Sequence, residues 1–561
     1  MLVNDIKTYR EEIEKFSKCG TVIVDTETTG LNPFKDDHIV GVSLGTPIIE
    51  DSVYSVYIPF RHQKGTNIPL ELIPELNKVF SGNKKVLGWN LKFDNHFLRR
   101  DGVDIGTQLY DVMLAAHLSN ENNAPFALKT HAAKYFGKEA VTADEELKRL
   151  LRGRKEGIGE LDPSLVSDYA EADVALPWKL FRRYKAVLEK DDVYNLFMEI
   201  CEYSKIVTNI EQRGVLVDFN ECGKGIKLCM EKLTELRANI DKILGIHINL
   251  NSPQQICRAL GLKSSEKTVL EKSSLPVAQM ILDHRHWHKL LNTFYTAAVD
   301  MADPSFRVHP NFNIHGTVTG RLSCKSPNMQ AFPREGEYSH VRGVIVAPEG
   351  YSLIAADIDQ AELRMLAHYS QDVTLLDAYR TGKDIHQEAA NKLGIDRFSA
   401  KTLNFAIIYG AGSYKIAKLL GISLEKAEEV LARYAKVFPG VKALSYKICE
   451  TAEIYGRIRM WSGRLRRFQY KSECYKALNS LIQGGVAEIV RTATMRLHPL
   501  LPEDVHIVLQ IHDELLLECP DSKVDQIVPI LKQVMQDWSF RIPIKVDVKV
   551  GKSWGQMVKL S

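Results

Sequence analysis

The stretch RFSAKTLNFAIIYG (residues 397–410) places Arg397, Lys401, Phe405 and Tyr409 at every fourth position, with no glycine or proline before its last residue. On an α-helix each step of four residues advances about 400°, so these side chains drift by only about 40° per step and share one broad face. That face carries two cations, then a phenyl ring, then a phenol. Two cations suit a polyphosphate, and the rings suit a base or a sugar. The alternative interpretation is an amphipathic core helix with an exposed basic end.

Composition narrows the classes of protein to which the chain can belong. Its 561 residues suffice for roughly three to four domains, and 45% hydrophobic with 25% charged residues is ordinary globular composition. The net charge of +3 means that any nucleic-acid-binding surface must be local. The apolar runs are too short for a membrane span, and the amino terminus lacks the apolar core of a signal peptide. The nine scattered cysteines include no C-x-x-C pair, which argues against disulfides and a zinc site and favours a reducing, intracellular compartment.

The first segment that carries chemistry is TVIVDTETTGL (residues 21–31), a β-branched apolar run that ends in the pattern D-x-E. Such a run predicts a buried strand. Because residues i and i+2 of a strand share a face, the carboxylates of Asp25 and Glu27 point into the same space. Two anions so close favour a bound cation, and oxygen ligands suit Mg²⁺ or Mn²⁺. Taken alone, the same pattern also fits an ordinary strand end.

Two later segments add acids to this pair. The segment GWNLKFD (residues 88–94) follows a short apolar run and supplies Asp94. In YAEAD (residues 169–173) the phenol of Tyr169 and the carboxylate of Asp173 are four residues apart, on one face of a predicted helix.

Together these segments resemble the three motifs of the DEDD-type 3′–5′ proofreading exonucleases, in the variant with tyrosine before the last aspartate. The resemblance implies a ribonuclease-H-like α/β fold with a mixed sheet, and two-metal hydrolysis of a phosphodiester. The implied catalytic acids and metal ligands are Asp25, Glu27, Asp94 and Asp173. Tyr169 would help to orient the attacking water, while Leu31 and Asn90 would hold the frayed 3′ end of the DNA.

Residues 195–300 have helical periodicity, including a heptad-like run over residues 222–244. Ser252 directly before a proline predicts a helix start. The pattern NLNSPQQ (residues 249–255) resembles the thumb of family A DNA polymerases, which grips the duplex through its backbone. The alternative is a helical linker with a solvated basic face.

Two further segments predict strands that deliver acids. The segment YSLIAADIDQAELR (residues 351–364) predicts a buried strand that ends on Asp357 and passes into a helix. The segment VLQIHDELLLE (residues 508–518) predicts two strands around a tight turn, with Asp513 and Glu514 at its tip. A charged tip between apolar runs is most often a solvated hairpin end, which is the alternative here.

The four-residue spacing within residues 397–410 is called here the ladder. The ladder, the two strand segments and the turn-rich segment TGRLSCKSPNMQ (residues 319–330) resemble the motifs of family A DNA polymerases of the DNA polymerase I type. The motifs occur in the family's order and cover nearly the whole chain. The resemblance implies a multidomain α/β and α+β fold in which a right-hand polymerase domain follows the exonuclease domain. The implied boundaries are 1–190 for the exonuclease, 195–300 for the thumb, 301–370 and 461–561 for the two parts of the palm, and 371–460 for the fingers.

The resemblance also assigns roles to individual residues. Asp357 and Asp513, with Glu514 beside them, would hold two Mg²⁺ ions, for which Mn²⁺ can substitute, so that each active site takes two ions. The residues implied to bind the incoming nucleotide are Gln360, Glu362, His386, Arg397, Lys401, Phe405 and Tyr409. Those implied to contact the primer–template are Arg321, Asn328, Gln330, Arg342, Asn479, Gln483 and His512, with Arg464 and Arg466 beside the template.

Three positions depart from the family pattern. Asp359 stands where serine is usual, Tyr475 where arginine is common, and Glu488 where aspartate is usual. We expect Asp359 to be a harmless exposed turn residue, although an acid so near Asp357 could instead perturb metal binding. The other two changes bear on how the primer is held.

The chain is thus predicted to be a template-directed DNA polymerase that extends a primer 3′-OH with dNTPs and proofreads with a 3′–5′ exonuclease. We expect a monomer in the cytoplasm of a bacterium or a phage-infected cell, with an organelle and a processivity or replisome partner left open. The chain begins directly at the exonuclease, so no 5′-nuclease domain is expected. The alternatives are a repair exonuclease with a vestigial polymerase half and a silent, DNA-binding accessory subunit. The intact set of metal-binding acids argues against the second.

Overall fold

The computed structural model describes residues 1–106, 108–154, 157–333 and 339–560. The amino-terminal part is built on strands β1 (Thr21–Thr28), β2 (Ile39–Pro47), β3 (Val53–Pro59), β4 (Lys85–Gly88) and β5 (Gln108–Asp111). They form one sheet in the order β3-β2-β1-β4-β5. The β3-β2-β1 half is antiparallel, whereas β4 runs parallel to β1 and β5 parallel to β4. The predicted mixed sheet is confirmed.

Helices pack on this sheet, and one of them lies at the end of β1 that carries the acids. They are α1 (Ile6–Ser17), α2 (Asn77–Phe80), α3 (Leu91–Arg100), α4 (Val112–Ser119), α5 (Leu128–Phe136), α6 (Thr142–Leu150) and α7 (Pro163–Lys190). The central strand β1 buries Val22, Ile23 and Val24 completely or nearly so, because both of its faces are covered. Helix α7 packs against β1, β2 and β3. This packing brings α7 to the end of β1 that carries the acids.

The next part is helical, as predicted. Its helices are α8 (Tyr194–Arg213), α9 (Phe219–Leu244), α10 (Pro253–Leu260), α11 (Lys267–Leu270), α12 (Pro276–Lys289) and α13 (Ala297–Met301). Helix α9 contains the heptad-like run and packs against α12. The predicted helix start is confirmed, because the Ser252 side chain accepts a hydrogen bond from the backbone N–H of Gln255 at the beginning of α10.

The chain then continues through short strands. These are β6 (Val215–Leu216), β7 (Arg307–Val308), β8 (Asn311–Asn313) and β9 (Ser323–Lys325), followed by the long strand β10 (Tyr351–Ile358) and helix α14 (Ala361–Ser370). Strand β10 confirms the predicted strand that carries Asp357. The chain turns into α14 at Gln360, which takes the left-handed conformation with φ 53°.

The predicted helicity of residues 371–460 is also confirmed. The helices are α15 (Val373–Thr381), α16 (Ile385–Leu393), α17 (Arg397–Ile408), α18 (Ser413–Leu420), α19 (Leu424–Val437) and α20 (Pro439–Tyr455). Short acidic side chains cap several of them: Asp372 caps α15, Asp384 caps α16 and Asp396 caps α17. Their oxygens accept the backbone N–H groups that the first turn of a helix leaves unpaired.

The strands and helices that follow complete an antiparallel sheet around β10. After the hairpin β11 (Arg457–Arg459) and β12 (Leu465–Arg467) come α21 (Ala477–Leu497), β13 (His506–Ile511), β14 (Glu514–Pro520), α22 (Val524–Gln536), β15 (Val546–Ser553) and β16 (Gln556–Lys559). The sheet order is β13-β14-β10-β15-β16. Strand β10 is central, so Asp357 meets the predicted β13–β14 hairpin. All nine cysteines lie within the described ranges and are free thiols.

Two candidate active sites

Asp25, Glu27 and Asp173 form a three-carboxylate cluster, called here the exonuclease group. Each contributes one oxygen to a set whose members lie within 4.8 Å of one another. Asp25 and Glu27 come from β1, and Asp173 comes from α7. Within the described ranges, no other three His, Cys, Asp or Glu side chains come together in this way. Strand alternation and the packing of α7 on the sheet therefore assemble three of the four predicted exonuclease acids.

Burial makes negative charge costly in this group. It raises the pKa of Asp25 to about 7, although Lys129 opposes the shift. Burial, and then the charge of Asp25, raise the pKa of Glu27 to about 8. The buried Oε1 atom of Glu27 has no hydrogen-bond partner among the described residues. A divalent cation would supply both the missing positive charge and the missing contact, so these oxygens fit Mg²⁺ or Mn²⁺.

Lys129 is a residue of this site that the sequence analysis missed. Its ammonium, on α5, forms an ion pair with Asp173 and lies 4.3 Å from the centre of the Tyr169 ring. Burial lowers the pKa of Lys129 to about 8, and the charge of Asp25 opposes this shift. The sequence offers no signal for Lys129, because α5 meets α7 only through tertiary packing.

Asp94 lies outside the set of oxygens within 4.8 Å but close to it, since burial and then the charge of Asp25 raise the pKa of Asp94 well above its usual range. Its role as a metal ligand stays a prediction. Its Oδ1 accepts hydrogen bonds from the backbone N–H and the hydroxyl of Thr26, at 2.9 and 2.7 Å. Asp94 therefore anchors β1 between the two strand acids. Leu31 is 84% exposed, and Asn90 begins α3 with φ 64°. The assignment of these two residues to the DNA end stays a prediction.

The second acidic set lies where β10 ends and the β13–β14 hairpin turns. Asp357 pairs in register with Glu514, and the N–H of Ile358 donates to the carbonyl oxygen of Asp513 at 3.2 Å. Asp357 and Asp513 are partly exposed, whereas Glu514 is buried. The fold thus places the two predicted metal ligands on adjoining segments of one sheet. Carboxylates are ligands that Mg²⁺ and Mn²⁺ prefer, and the role of these two acids as metal ligands stays a prediction.

Glu514 and Arg342 share Trp554 as a neighbour. The indole N–H of Trp554 donates to Glu514 Oε1 at 3.1 Å, and the Arg342 guanidinium lies 3.9 Å from the centre of the indole ring. Arg342 also donates to the carbonyl oxygens of Pro333 and Phe332. Because the Arg342 side chain is buried among these partners, this geometry does not support its predicted contact with DNA. The catalytic role of Glu514 stays a prediction.

Asp359, the acid at the usual serine position, has a partner in the palm. Its Oδ2 accepts a hydrogen bond from the buried guanidinium of Arg364 at 2.7 Å, and its carbonyl oxygen accepts another from Arg364 Nε at 2.6 Å. The extra negative charge beside Asp357 is therefore balanced within the protein. Next to it, Gln360 Oε1 accepts a hydrogen bond from the hydroxyl of Tyr379 at 3.2 Å, which links α15 to the palm.

The predicted ladder helix is confirmed as α17. Its buried side carries Ala400, Leu403, Asn404, Ala406 and Ile408. Arg397 and Lys401 are exposed, Phe405 is half-buried, and Tyr409 ends the helix with 42% of its surface exposed. The two cations and two rings thus remain accessible along the helix, while its other side packs against α16, α18 and α21.

Arg397 and His386, two of the residues predicted to bind the nucleotide, contact neighbouring side chains. Arg397 Nη2 pairs with Asp384 Oδ2 at 2.7 Å, at the amino terminus of α16. His386 is buried, and its Nδ1 lies 3.1 Å from Nδ2 of Asn404. Asn404 was not predicted, since its place in the ladder register is on the buried side. Its contact with His386 joins α16 to α17.

Glu362 and Arg321 are paired with each other. The distance from Arg321 Nη2 to Glu362 Oε1 is 2.7 Å, and both side chains are partly exposed. The resemblance assigns Glu362 to the incoming nucleotide and Arg321 to the primer–template, and the structure pairs the two side chains. A salt bridge between them fixes the direction of the Glu362 carboxylate.

The other predicted DNA contacts are scattered around the palm. Asn328 accepts a hydrogen bond from the N–H of Gln330, whose amide donates to the carbonyl oxygen of Gln510 at 3.2 Å. Asn479 and Gln483 are partly exposed on α21, and His512 is exposed at the hairpin tip with φ 55°. Their contacts with DNA stay predictions.

Arg464 and Arg466 are buried inside the protein, a geometry that does not support their predicted place beside the template. Arg464 Nε donates to Glu488 Oε1 at 2.5 Å, and Arg491 Nη2 donates to Glu488 Oε2 at 2.8 Å. Burial alone would raise the pKa of Glu488, but these two arginines outweigh it and lower the pKa to about 2. Arg466 pairs with Glu121 of the exonuclease part at 3.1 Å. The glutamate at the usual aspartate position therefore joins a buried ion-pair cluster.

Comparisons with known proteins agree with this two-part architecture. Residues 2–189 match the family described as 3′–5′ exonuclease, and residues 221–556 match DNA polymerase family A. The chain is 29% identical, over its whole length, to a DNA polymerase I of Chloroflexus aurantiacus. It is 32% identical, over 70% of its length, to a thermostable DNA polymerase I of Thermus filiformis. The chain spans 64% and 54% of the lengths of these two relatives.

A solved structure shows the same fold. The POL domain of Pol1 from M. smegmatis, in complex with DNA primer-template and dNTP, matches with a TM-score of 0.83 and 22% identity over 99% of both chains. In the part of the chain that the structure describes, every helix is too short or too polar to cross a membrane. The polymerase family covers more than half of the chain, and the exonuclease family covers most of what precedes it. The protein is therefore a member of DNA polymerase family A with an amino-terminal 3′–5′ exonuclease domain.

Proposed function

We propose that this chain extends a primer 3′-OH with dNTPs on a DNA template and removes mispaired 3′ ends. The observation that carries the proposal is the presence of two separate acidic sets in one chain: the exonuclease group, and Asp357 with Asp513 in the palm. Two such sets suit two phosphoryl-transfer reactions, one that forms a phosphodiester and one that hydrolyses it. Membership of DNA polymerase family A supports the assignment of synthesis to Asp357 and Asp513 and of hydrolysis to the exonuclease group.

In the palm, Asp357 and Asp513 would hold two Mg²⁺ ions. When bound, such ions lower the pKa of the primer 3′-OH and neutralise charge on the α-phosphate and the pyrophosphate. Arg397 and Lys401 would bind the triphosphate. Arg397 would exchange its partner Asp384 for a phosphate, since a guanidinium binds either anion. Phe405 would then lie beside the sugar.

In the exonuclease domain, Asp25, Glu27 and Asp173 would hold the ions for phosphodiester hydrolysis. Tyr169 lies one helical turn before Asp173 and would position the attacking water. Leu31 and Asn90 would hold the frayed 3′ end. The exposed side chain of Leu31, three residues beyond β1, suits contact with an unpaired base.

The proposal is tested by primer extension and primer excision on matched and mismatched primer–templates, with Mg²⁺ and with EDTA as control. With dNTPs and Mg²⁺ we expect extension to the end of the template. Without dNTPs we expect shortening from the 3′ end, faster at a mismatch. Shortening without any extension would identify a repair exonuclease instead, and DNA binding without either reaction would identify an accessory protein.

Replacing Glu362 by alanine should raise the incorporation of ribonucleotides. The family resemblance implies that Glu362 lies where a 2′-OH would sit, and the salt bridge to Arg321 holds its carboxylate in one direction. Removing the side chain makes room for the hydroxyl, and we expect the ratio of rNTP to dNTP incorporation to rise roughly tenfold or more. Single-nucleotide addition kinetics measure this ratio. Glu362→Gln, which keeps the bulk, should retain most of the selectivity, and an unchanged ratio in Glu362→Ala would show that Glu362 lies elsewhere.

Phe405→Tyr should reduce discrimination against dideoxynucleotides. A natural dNTP can hydrogen-bond a phosphate oxygen through its own 3′-OH, whereas a ddNTP leaves that polar partner unsatisfied at a cost of about 1–3 kcal/mol. The tyrosine hydroxyl would fill this place with almost no change in volume. The ratio of kcat/KM for dNTP over ddNTP should fall by roughly five- to 150-fold. No fall in that ratio would mean that Phe405 does not face the sugar.

A further inference from the structure

Lys129 lies inside the exonuclease site, although it belongs to none of the motifs. Its ammonium pairs with Asp173 and lies 4.3 Å from the centre of the Tyr169 ring. Only 20% of the Lys129 side chain is exposed. A lysine so removed from water needs anionic or aromatic partners, and Lys129 has both.

Lys129 is also the cation that balances the exonuclease group. Three carboxylates meet within 4.8 Å. Asp144 and Lys148 also act on Lys129, but they pair with each other at 2.7 Å on α6 and so add little net charge. One ammonium therefore neutralises part of an acidic cluster that would otherwise repel itself.

We propose that Lys129 is a positioning residue of the exonuclease site, which holds Asp173 and Tyr169 in place and yields Asp173 to the metal ion when the site is loaded. The proposal rests on the exonuclease activity proposed above. A divalent ion and an ammonium repel each other when they share a carboxylate. The flexible four-carbon stem of lysine lets the ammonium move off Asp173 while it stays over the uncharged Tyr169 ring.

Lys129→Met removes the charge and keeps nearly the same side-chain length. The proposal predicts that this substitution strengthens Mn²⁺ binding but slows excision. Binding of Mn²⁺ should become about tenfold tighter, because a competing unit charge a few ångströms away is lost. Excision at saturating Mn²⁺ should become about fivefold slower, because Tyr169 loses the cation that holds its ring. A lysine that only supported the local fold would weaken metal binding and excision together.

The experiment measures Mn²⁺ binding to the full chain by calorimetry, in an Asp357→Asn/Asp513→Asn background that removes the ligands of the palm. Single-turnover excision of a mismatched primer and thermal unfolding in EDTA are measured on the same proteins. Lys129→Arg restores a cation, and Lys129→Gln replaces Lys129→Met if the latter does not fold. Lys134→Met is the matched control, since Lys134 is exposed on the same helix and bonds to Asn123 rather than to the exonuclease group.

We expect tighter Mn²⁺ binding and slower excision in Lys129→Met, near-normal values in Lys129→Arg, and no change in Lys134→Met. Equal or weaker Mn²⁺ binding in Lys129→Met, or the same behaviour in Lys129→Arg and Lys129→Met, would overturn the proposal. The variant Glu27→Ala distinguishes a wrong role for Lys129 from a wrong assignment of the exonuclease activity. If the unsubstituted chain neither excises primers nor binds Mn²⁺ in a Glu27-dependent way, both fail. If it does both and Lys129→Met is unchanged, only the role of Lys129 fails.

Discussion

Replacing Asp25 and Glu27 together by alanine is expected to abolish the removal of mismatched 3′ ends and to leave primer extension nearly unchanged. The two residues supply two of the three carboxylates in the exonuclease group. Without them, Asp173 remains paired with Lys129, so no anionic cluster is left for a divalent ion. The loss of electrostatic stabilisation should amount to several kcal/mol, and about 1.4 kcal/mol already corresponds to tenfold in rate. Excision should therefore fall at least about a hundredfold.

Single-turnover excision and single-nucleotide addition, measured on the same preparation, test this separation of the two activities. Asp168→Ala is the matched control, because Asp168 is an exposed acid on α7 outside the exonuclease group. It should leave both rates unchanged. Loss of both activities in a folded Asp25→Ala/Glu27→Ala protein, or persistence of excision, would contradict two independent sites.

Asp513→Asn should stop nucleotide addition while DNA binding and excision persist. The amide has almost the same shape as the carboxylate, and the hydrogen bond from Ile358 N–H reaches the backbone carbonyl of Asp513, so the hairpin should stay intact. The substitution removes one ligand charge from a two-metal site, which should lower the rate of addition at least about a hundredfold.

Asp547→Asn is the matched control for this substitution. Asp547 is the register partner of Asp357 on β15, but it forms a salt bridge with Lys559 at 2.8 Å and is not assigned as a ligand. Its replacement should leave the rate of addition within a few-fold of normal. If Asp513→Asn retained more than a few per cent of normal addition, the assignment of the metal ligands would be wrong.

Elements with a local pattern could be predicted from the sequence. The period of α17, the apolar run of β1 and the turn of the β13–β14 hairpin each depend on neighbouring residues. The residues assigned to these elements therefore lie on the predicted helix, strand and hairpin. Asp25 and Glu27 share a face because a strand has a period of two. Asp173 reaches them through the packing of α7 on the sheet, which only the family resemblance indicated.

Partners that come from distant segments could not be predicted. Lys129 reaches Asp173 only because α5 packs on α7, and Arg464 reaches Glu488 across the palm. Arg342 matches a DNA-contacting position in the resemblance, yet its guanidinium is buried against Trp554. For a charged residue, pattern matching indicates where the backbone lies, whereas the tertiary contacts decide which partner the charge takes.

The most direct test of the central claim, that one chain both adds and removes nucleotides at the same primer end, is idling turnover. A matched primer–template is incubated with Mg²⁺ and only the next correct dNTP, and the release of the corresponding dNMP is measured. The two sites together should convert dNTP steadily into dNMP while the primer length stays constant. Asp25→Ala/Glu27→Ala should extend by one nucleotide and release none, and Asp513→Asn should only shorten the primer. The dNTP carries a label, so that only dNMP formed from it is counted. Absence of labelled dNMP with the unsubstituted protein, or its formation by either variant, would contradict the account.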